Sequence, residues 1–246
     1  MAQTHHVGLT DWRPDLPDVR DHPYRAVQRA VLPPKVDLRP MCPPVVDQGQ
    51  LGSCTANALA GAFGFIHRTA PPASRLFVYY NERVIEGTVR SDAGAMLRDG
   101  IKTLKNTGVC LEKHWPYDIA KFKLKPPATC FGEATTRRIT SYQRLETVQD
   151  MQDCLASGFP FVFGFTVYDA FESDAVAKSG VLGMPGPGEK MIGGHAVCAV
   201  GYDLPSQRFI VRNSWGSRWG QKGHFTMPFD YLANRKLSDD FWTIRA

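Results

Sequence analysis

One cysteine of the chain stands in a setting that suits sulfur chemistry. The segment DQGQLGSCTAN at 47–57 is a polar, glycine-rich loop that leads through Ser53 into Cys54 and then into a proline-free apolar stretch. Serine is a favourable N-cap, so Cys54 is predicted to lie in the first turn of a helix. Unpaired N–H donors and the positive end of the helix dipole both favour a thiolate there. The pattern therefore predicts a nucleophilic cysteine.

A nucleophilic thiol needs a base, and the base needs a group that fixes its orientation. His195 follows two glycines and begins the apolar run HAVCAVG, which predicts a strand with the imidazole at the edge of the sheet. Asn213 follows a second predicted strand and begins a glycine-rich turn. Trp215 in that turn is placed to cover a hydrogen bond between Asn213 and His195 and to exclude water from it. These residue types in this order predict a Cys-His-Asn triad.

Each of the three residues has a simpler interpretation when it is taken alone. A buried cysteine such as Cys54 is more often a small core residue than a nucleophile. His195 alone would be a packed sheet histidine, and Asn213 alone would be a turn residue. Their occurrence together, each within a matching loop or strand context, favours catalysis.

The elements that must position these residues are visible in the hydrophobic periodicity. Apolar residues recur at helical spacing between Leu59 and Ile66, which predicts a buried helix from 53 to about 68. Similar patterns predict helices at 75–86, 96–105 and 148–156. The predicted strands are short β-branched and aromatic runs at 161–167, 195–201, 208–212 and 223–227.

The order of these elements indicates the fold class. A helical first half followed by a sheet-rich second half indicates an α+β fold with two lobes rather than alternating βαβ units. Residues 178–192 contain four glycines and two prolines, which predicts a loop that leads into His195.

The motifs around the candidate triad resemble the papain family of cysteine peptidases, in a microbial form without a long helical propeptide. The order Cys, His, Asn and the separations of 141 and 18 residues suit that fold, and the resemblance covers about 35–246. It implies a papain-like fold with a helical left lobe, an antiparallel β-barrel-like right lobe and a cleft between them. The matching motifs are QGQLGSC at 48–54, GHA at 194–196 with VGY at 200–202, NSWG at 213–216 with WG at 219–220, and NTGVCLE at 106–112 with WPY at 115–117.

The resemblance also implies a division of the chain and a set of roles. Residues 1–34 form an extended arm and 35–246 a peptidase domain, with a helical lobe at about 51–130 and a sheet lobe at about 131–246 that includes 35–50. Cys54 is then the nucleophile, His195 the general base and later acid, and Asn213 the residue that orients the histidine. Gln48 donates its side-chain amide to the oxyanion beside the backbone N–H of Cys54.

The expected reaction is hydrolysis of protein or peptide substrates through a thioester acyl-enzyme, in the manner of an endopeptidase. An exopeptidase is an alternative, although no histidine-rich insertion that would cap the cleft is evident. Two further alternatives stay open. One is a papain-like binding or inhibitory module without turnover, and the other is an acyl transferase in which an amine captures the thioester.

Two departures from the family pattern lie beside the nucleophile. Thr55 stands where most family members carry tryptophan. Leu51 replaces a usual half-cystine, so that disulfide cannot form, which fits a reducing compartment. The sequence does not decide whether the other cysteines are free thiols or disulfides, except that Cys198 reads as a buried core residue.

The substrate-binding residues follow from the resemblance. Ala93 and Gly94 take the place of a glycine pair that binds substrate backbone, so we expect Gly94 to contact substrate and Met96 to line a specificity pocket. Gly194 and Trp215 are the other expected substrate contacts.

The arm at 1–34 is rich in Pro, Asp and Arg and shows no sustained periodicity. Its apolar residues Trp12, Leu16 and Tyr24 suggest that it docks on the folded body, and we expect it to pack over or near the cleft. A disordered tail without a docking role is the alternative.

Composition excludes several partners. The formal charge of +5 is modest and the basic residues are scattered, so no nucleic-acid partner is expected. No apolar run is long enough to span a membrane, and no secretory signal is visible, which predicts a cytoplasmic protein or export by an unconventional route.

We expect a monomer whose partners are substrates and protein inhibitors. No cofactor is expected, and no metal, because the histidines lack metal-ligand spacing at His5, His6, His22, His67, His114 and His224.

Overall fold

Helices dominate the first half of the folded body. The computed structural model describes residues 11–25, 31–68 and 71–246. Its helices are α1 at Cys54–Ile66, α2 at Arg75–Glu86, α3 at Leu97–Lys102, α4 at Ala128–Ala134, α5 at Val148–Ala156, α6 at Asp174–Ser179 and α7 at Phe229–Ala233. The four predicted helices correspond to α1, α2, α3 and α5.

An antiparallel sheet dominates the second half. Its strands are β1 at Lys35–Asp37, β2 at Ser141–Arg144, β3 at Phe161–Tyr168, β4 at Met191–Asp203, β5 at Arg208–Arg212, β6 at His224–Pro228 and β7 at Ser238–Arg245. The strand order is β2-β7-β3-β4-β5-β6, with β1 paired to β4, and all pairs are antiparallel. The α+β fold class is therefore as predicted.

The contact between α1 and β4 is the feature that builds the site. Leu59, Ala62 and Phe63 of α1 are buried, and the helix packs against β4. Because small residues such as Ala56 and Ala60 are also buried in α1, the helix can approach the sheet closely. This packing carries the N-terminus of the helix to the strand that contains His195.

Four predictions about local structure need correction. β4 begins at Met191 rather than at His195, because its pairing with β3 continues to the Tyr168–Met191 pair through an irregularity. His195 is therefore inside the strand and fully buried rather than at the sheet edge, and the predicted loop at 178–192 is confined to the residues between α6 and β4. The predicted helix at 96–105 ends at Lys102 and continues as a π-helical turn.

The described residues also bear on the expectations about membranes, metal ions and disulfides. Among the described residues no helix is long and apolar enough to cross a membrane. The described part of the chain also contains no group of three or more His, Cys, Asp or Glu side chains that could hold a metal ion. All six cysteines are free thiols, and Cys198 is buried in the core.

Candidate active site

The two lobes meet at Cys54. It is the first residue of α1, and the backbone N–H groups of Ala196 and Thr55 both lower the pKa of its thiol. Ala196 directly follows His195 in β4. The N-terminus of α1 in the helical lobe and the His195–Ala196 segment of the sheet lobe therefore lie next to each other.

His195 is oriented by Asn213. The Nε2 atom of His195 lies 2.8 Å from Oδ1 of Asn213, and the same oxygen accepts the backbone N–H of Ser214 at 2.8 Å. An amide oxygen only accepts, so Nε2 of His195 carries a proton in this bond. In the neutral imidazole the other ring nitrogen, Nδ1, therefore carries no proton and can accept one. Asn213 and His195 are both buried, so water does not compete for the bond.

Aromatic rings enclose the histidine. Trp215 packs on His195 with 5.1 Å between ring centroids, and Phe171 lies 5.0 Å from Trp215 and 6.2 Å from the imidazole. Trp215 is buried beside the His195–Asn213 pair, where the sequence places it. Its contact with substrate stays a prediction.

Gln48 is held on both of its side-chain atoms. Its Nε2 donates to the carbonyl of Leu51 at 3.1 Å, and its Oε1 accepts the hydroxyl of Ser214 at 2.6 Å. The backbone adds a bond from its N–H to the Ser214 carbonyl at 2.9 Å. The loop before Cys54 is therefore fixed to the turn that carries Asn213.

Tyr117 is a site residue whose role the sequence did not reveal. Its hydroxyl donates to the Gln48 carbonyl at 2.9 Å and lies 2.5 Å from Oγ of Ser53. Its only sequence signal was membership of the WPY motif. Ser53 is the N-cap of α1 as predicted, but its hydroxyl makes no capping bond, because Tyr117 and the Asn57 amide, at 3.0 Å, both engage it.

Arg75 and Asp92 also hold the nucleophile loop, and no sequence motif marks them. Arg75 donates to the carbonyl of Asp47 at 3.0 Å and to Oδ1 of Asn57 at 3.1 Å. The carboxylate of Asp92 accepts the backbone N–H of Gly52 at 3.1 and 3.2 Å. These contacts join the loop to the rest of the helical lobe.

The arm crosses the site. Its described residues are 11–25 and 31–34, and Trp12 pairs with Ala95 in a parallel bridge. The N–H of Arg13 donates to the Ala95 carbonyl at 3.2 Å, and the N–H of Ala95 donates to the Asp11 carbonyl at 3.4 Å. Trp12 also lies on Gly194, where an added Cβ would come within 2.7 Å of the Trp12 carbonyl oxygen. These residues of the arm therefore contact Ala95 and Gly194, and that this strip is the substrate cleft stays a prediction.

The predicted substrate contacts lie around this crossing. Gly94 has a φ of +62° and precedes Ala95, whose backbone binds the arm. Met96 follows Ala95, is partly buried, and donates its N–H to Glu86 at 2.7 Å. Gly194 lies under Trp12 on the sheet side. Their roles with substrate stay predictions.

Trp12 is buried in a pocket with a carboxylate in it. Its indole covers Gly164, where any side chain would overlap the ring, and its Nε1 donates to Oδ2 of Asp240 at 3.2 Å. The backbone N–H of Asp15 donates to the same oxygen at 2.8 Å. Asp240 has a φ of +58°, an uncommon conformation for a residue with a side chain.

Charged groups complete the anchorage of the arm. Asp15 accepts the Trp242 indole N–H at 2.9 Å and the Arg98 backbone N–H at 3.0 Å. The guanidinium groups of Arg98 and Arg144 both pair with Asp21, at 2.5 and 3.0 Å. Arg144 also pairs with the two carboxylates at the start of β7, Asp239 at 3.0 Å and Asp240 at 3.1 Å. We name these residues the arm cluster: Asp15, Asp21, Arg98, Arg144, Asp239 and Asp240.

The arm is therefore anchored differently from the expectation. Trp12 is 6% exposed, but Leu16 is 69% exposed and makes no apolar anchor, while Tyr24 is only partly buried. Carboxylates and backbone groups take the place of the predicted apolar contacts of Leu16.

The thiol of Cys54 differs from the sequence expectation in one respect. Burial raises its pKa well above the ordinary value, and the charges of Asp11 and Glu82 raise it further. The N–H groups of Ala196 and Thr55 act in the opposite direction. With the arm in place, the loss of water around the sulfur outweighs the favourable helix terminus.

A helical lobe and an antiparallel sheet lobe that meet at a Cys-His-Asn cluster define the class of cysteine proteases. Comparison with known proteins agrees. The family model described as papain family cysteine protease matches residues 32–237. A peptidase C1-like protein of Acanthamoeba polyphaga mimivirus is 47% identical over 214 residues, which cover 81% of this chain and 69% of that protein. The chain belongs to the papain family of cysteine proteases, and it is a hydrolase of the thiol protease type.

Solved structures show the same relationship. Xylellain, a cysteine protease from Xylella fastidiosa, superposes with a TM-score of 0.89 at 42% identity, covering 100% of this chain and 98% of that chain. Bromelain from Ananas comosus, solved in complex with the E64 inhibitor, has a TM-score of 0.68 at 24% identity and covers 87% of this chain and 99% of its own. The second likeness shows the fold alone.

Proposed function

We propose that this protein hydrolyses peptide bonds with Cys54 as nucleophile, His195 as general base and then acid, and Asn213 as the orienting residue. The observation that carries the proposal is the 2.8 Å bond between Nε2 of His195 and Oδ1 of Asn213. The next residue, Ala196, has a backbone N–H that lowers the pKa of the Cys54 thiol. This bond leaves Nδ1 of His195 to exchange a proton with the thiol.

The chemistry follows from that arrangement. His195 takes the proton of Cys54, and the thiolate attacks the substrate carbonyl carbon to form a tetrahedral oxyanion. His195 then gives the proton to the leaving amine, and a thioester remains. Water, deprotonated by His195, hydrolyses the thioester and restores the thiol.

The oxyanion has two candidate donors. Gln48 donates one amide N–H to the Leu51 carbonyl, and the same amide group carries a second N–H that can donate to an oxyanion. The backbone N–H of Cys54 belongs to the first turn of α1, whose N–H groups have no partner within the helix. Donors already held in place stabilise the developing charge without reorganisation.

The docked arm supports an extended peptide as the substrate. The backbone of Ala95 already binds an extended segment, and Gly194 faces that segment from the other lobe. We propose that substrate uses the same strip, with Gly94, Met96, Gly194 and Trp215 around it, in the manner of an endopeptidase. The arm must then leave before substrate enters, which makes it an intramolecular blocker.

A labelling and turnover experiment tests this function. A peptide with a thiol-reactive electrophile is added to the full-length chain and to Cys54→Ala, and intact mass and peptide hydrolysis are measured. Covalent labelling and hydrolysis that both vanish in Cys54→Ala support the peptidase. Labelling without hydrolysis of any peptide in a diverse library would favour the binding module, and products carrying an added amine would favour the transferase.

A further inference from the structure

An acid is buried next to the helix that carries the nucleophile. Thr55, the residue after Cys54, donates its hydroxyl to Oε2 of Glu82 in α2 at 2.9 Å. Both side chains have no exposed surface. The family resemblance leads one to expect tryptophan at position 55, so this polar pair is a feature of this chain and takes no part in the mechanism above.

The other oxygen of Glu82 has no hydrogen-bond partner among the described residues. Gly100 in α3 lies against it, and a Cβ there would overlap Oε1. Arg83, the neighbouring cation, donates instead to backbone carbonyls, those of Tyr79, Val89, Ser91 and Phe122. An ionised carboxylate has about four acceptor sites to satisfy, whereas Glu82 has one donor.

The groups that face Glu82 are Arg83 and Tyr79 on its own helix, Asp99 on α3, and Thr55 and Cys54 on α1. The Thr55 hydrogen bond and the charge of Arg83 lower the pKa of Glu82, but together they do not offset the effect of burial. Burial is the largest influence, and it raises the pKa of Glu82 to about 8, with Asp99 acting in the same direction. At neutral pH the side chain is therefore a protonated acid, because an isolated charge in a dry interior is costly.

Glu82 is coupled to the nucleophile in two ways. Through Thr55 it holds the first turn of α1, which contains the sulfur and the N–H group offered to the oxyanion. Its negative charge, when it forms, is one of the influences that raise the pKa of Cys54. As a neutral acid, Glu82 holds the first turn of α1 in place. As a carboxylate, it disfavours the thiolate form of Cys54.

We propose that Glu82 is a positioning residue for Cys54, which as a neutral acid fixes Thr55 and the first turn of α1 and keeps negative charge away from the thiolate. The inference rests on the proposed role of Cys54 as nucleophile. It gives the site an alkaline limit that belongs neither to the cysteine nor to the histidine.

The decisive experiment compares Glu82→Gln with the wild type in the full-length chain. Glutamine keeps an acceptor for the Thr55 hydroxyl but cannot ionise. The matched control is Glu146→Gln, which changes an exposed glutamate before α5. Alkylation of Cys54 by iodoacetamide is followed from pH 6 to 10 by mass spectrometry of the Cys54 peptide, and each rate is divided by its value at pH 7.

We expect the pH 9 ratio to be about fivefold or more higher in Glu82→Gln than in the wild type, with Glu146→Gln equal to the wild type. Thr55→Val removes the hydroxyl at constant shape, and we expect it to slow alkylation at pH 7 about threefold or more. Coinciding profiles for Glu82→Gln and the wild type would overturn the proposal. Should Glu82→Gln not fold, an unchanged rate in Thr55→Val overturns it instead.

Melting temperature supplies a readout that needs no activity. The pKa of Glu82 is raised above its ordinary value, so its contribution to stability is full below about pH 4.5 and is lost as pH rises to about 8. We expect the melting temperature of Glu82→Gln relative to wild type to rise by about 5 °C or more between pH 5 and 8. If this shift appears and the alkylation profile does not move, Glu82 is a buried acid without influence on Cys54. If the alkylation profile moves but no peptide is hydrolysed, the peptidase function fails and the coupling stands.

Discussion

The surroundings of Cys54 differ sharply between the face that the arm covers and the interior behind the first turn of α1. The arm face is rich in charge. Trp12 donates its indole N–H to Asp240, and the guanidinium group of Arg144 pairs with both Asp21 and Asp240. The interior is dry, and Thr55 and Glu82 share one hydrogen bond there. Contacts made by a separate segment can be exchanged for substrate, whereas contacts inside the core must persist throughout turnover.

This difference predicts effects of opposite sign. Changes that weaken the arm face should raise the reactivity of Cys54, because they uncover the thiol. Changes in the interior or in the loop before Cys54 should lower it, because they loosen the groups that act on the reacting atoms.

Gln48→Ala should give the largest loss. Removal of one oxyanion donor in other enzymes costs about a hundredfold to a thousandfold in turnover, and we expect kcat for a peptide substrate to fall by about tenfold to a thousandfold. Alkylation of Cys54 by iodoacetamide forms no oxyanion, so its rate should change far less. An equal loss in both measurements would show that the substitution disorders the loop instead.

Trp12→Ala should give the largest gain. The side chain is 6% exposed, and its removal takes away most of the apolar contact that holds the arm at the site. We expect labelling of Cys54 by a peptide electrophile to accelerate about tenfold or more. Leu16→Ala is the control, because Leu16 is 69% exposed in the same arm. Equal acceleration in both variants, or none in Trp12→Ala, would contradict the blocking role.

The arm face should also respond to pH. Burial, followed by the charge of Asp15, raises the pKa of Asp240 to about 8, and burial raises the pKa of Asp15. Raised pKa values mean that the docked arm binds more protons than the released arm, so docking is strongest at low pH and weakens as pH rises from about 4 to 8.

The measurement is the labelling rate of Trp12→Ala divided by that of the wild type at pH 5 and at pH 8. The ratio removes the intrinsic pH dependence of the thiol, and we expect it to fall by a few-fold at the higher pH. A ratio that increases with pH would contradict the expectation that docking of the arm weakens as pH rises.

Tyr117→Phe should have the smallest effect. It leaves the Gln48 carbonyl and the Ser53 hydroxyl without their shared partner at one side of the nucleophile loop. Each bond contributes about 1 kcal/mol. We therefore expect a melting temperature lower by about 4–8 °C and a kcat reduced a few-fold. Tyr142→Phe, at a partly buried tyrosine of β2, is the matched control, and a loss of kcat there as well would remove the argument.

How much of the site the sequence could predict depends on how local each signal is. Cys54 at a helix start and Gln48 in its loop are neighbours in the chain, so motif and periodicity were sufficient to select them. The pairing of His195 with Asn213 needed only two adjacent strands. Strand limits were less accurate, because the extension of β4 to Met191 is set by its partner β3 and not by its own composition.

Contacts between distant segments could not be predicted in this way. Trp12 and Asp240 are separated by 228 residues and meet through one hydrogen bond. Thr55 and Glu82 are 27 residues apart on different helices. No local pattern marks such pairs, because either residue alone is compatible with an exposed, solvated position.

The sequence by itself determined the family, the α+β class, the main helices and the residues that meet at the candidate triad. Each of these can be inferred from residue spacing or from a short motif. Only the tertiary structure decided that the thiol is covered, that Asp240 receives the arm, and that an acid is buried beside Thr55. The physical reason is that burial and the electrostatic environment of a group depend on all segments packed around it, and those segments come together only in the folded chain.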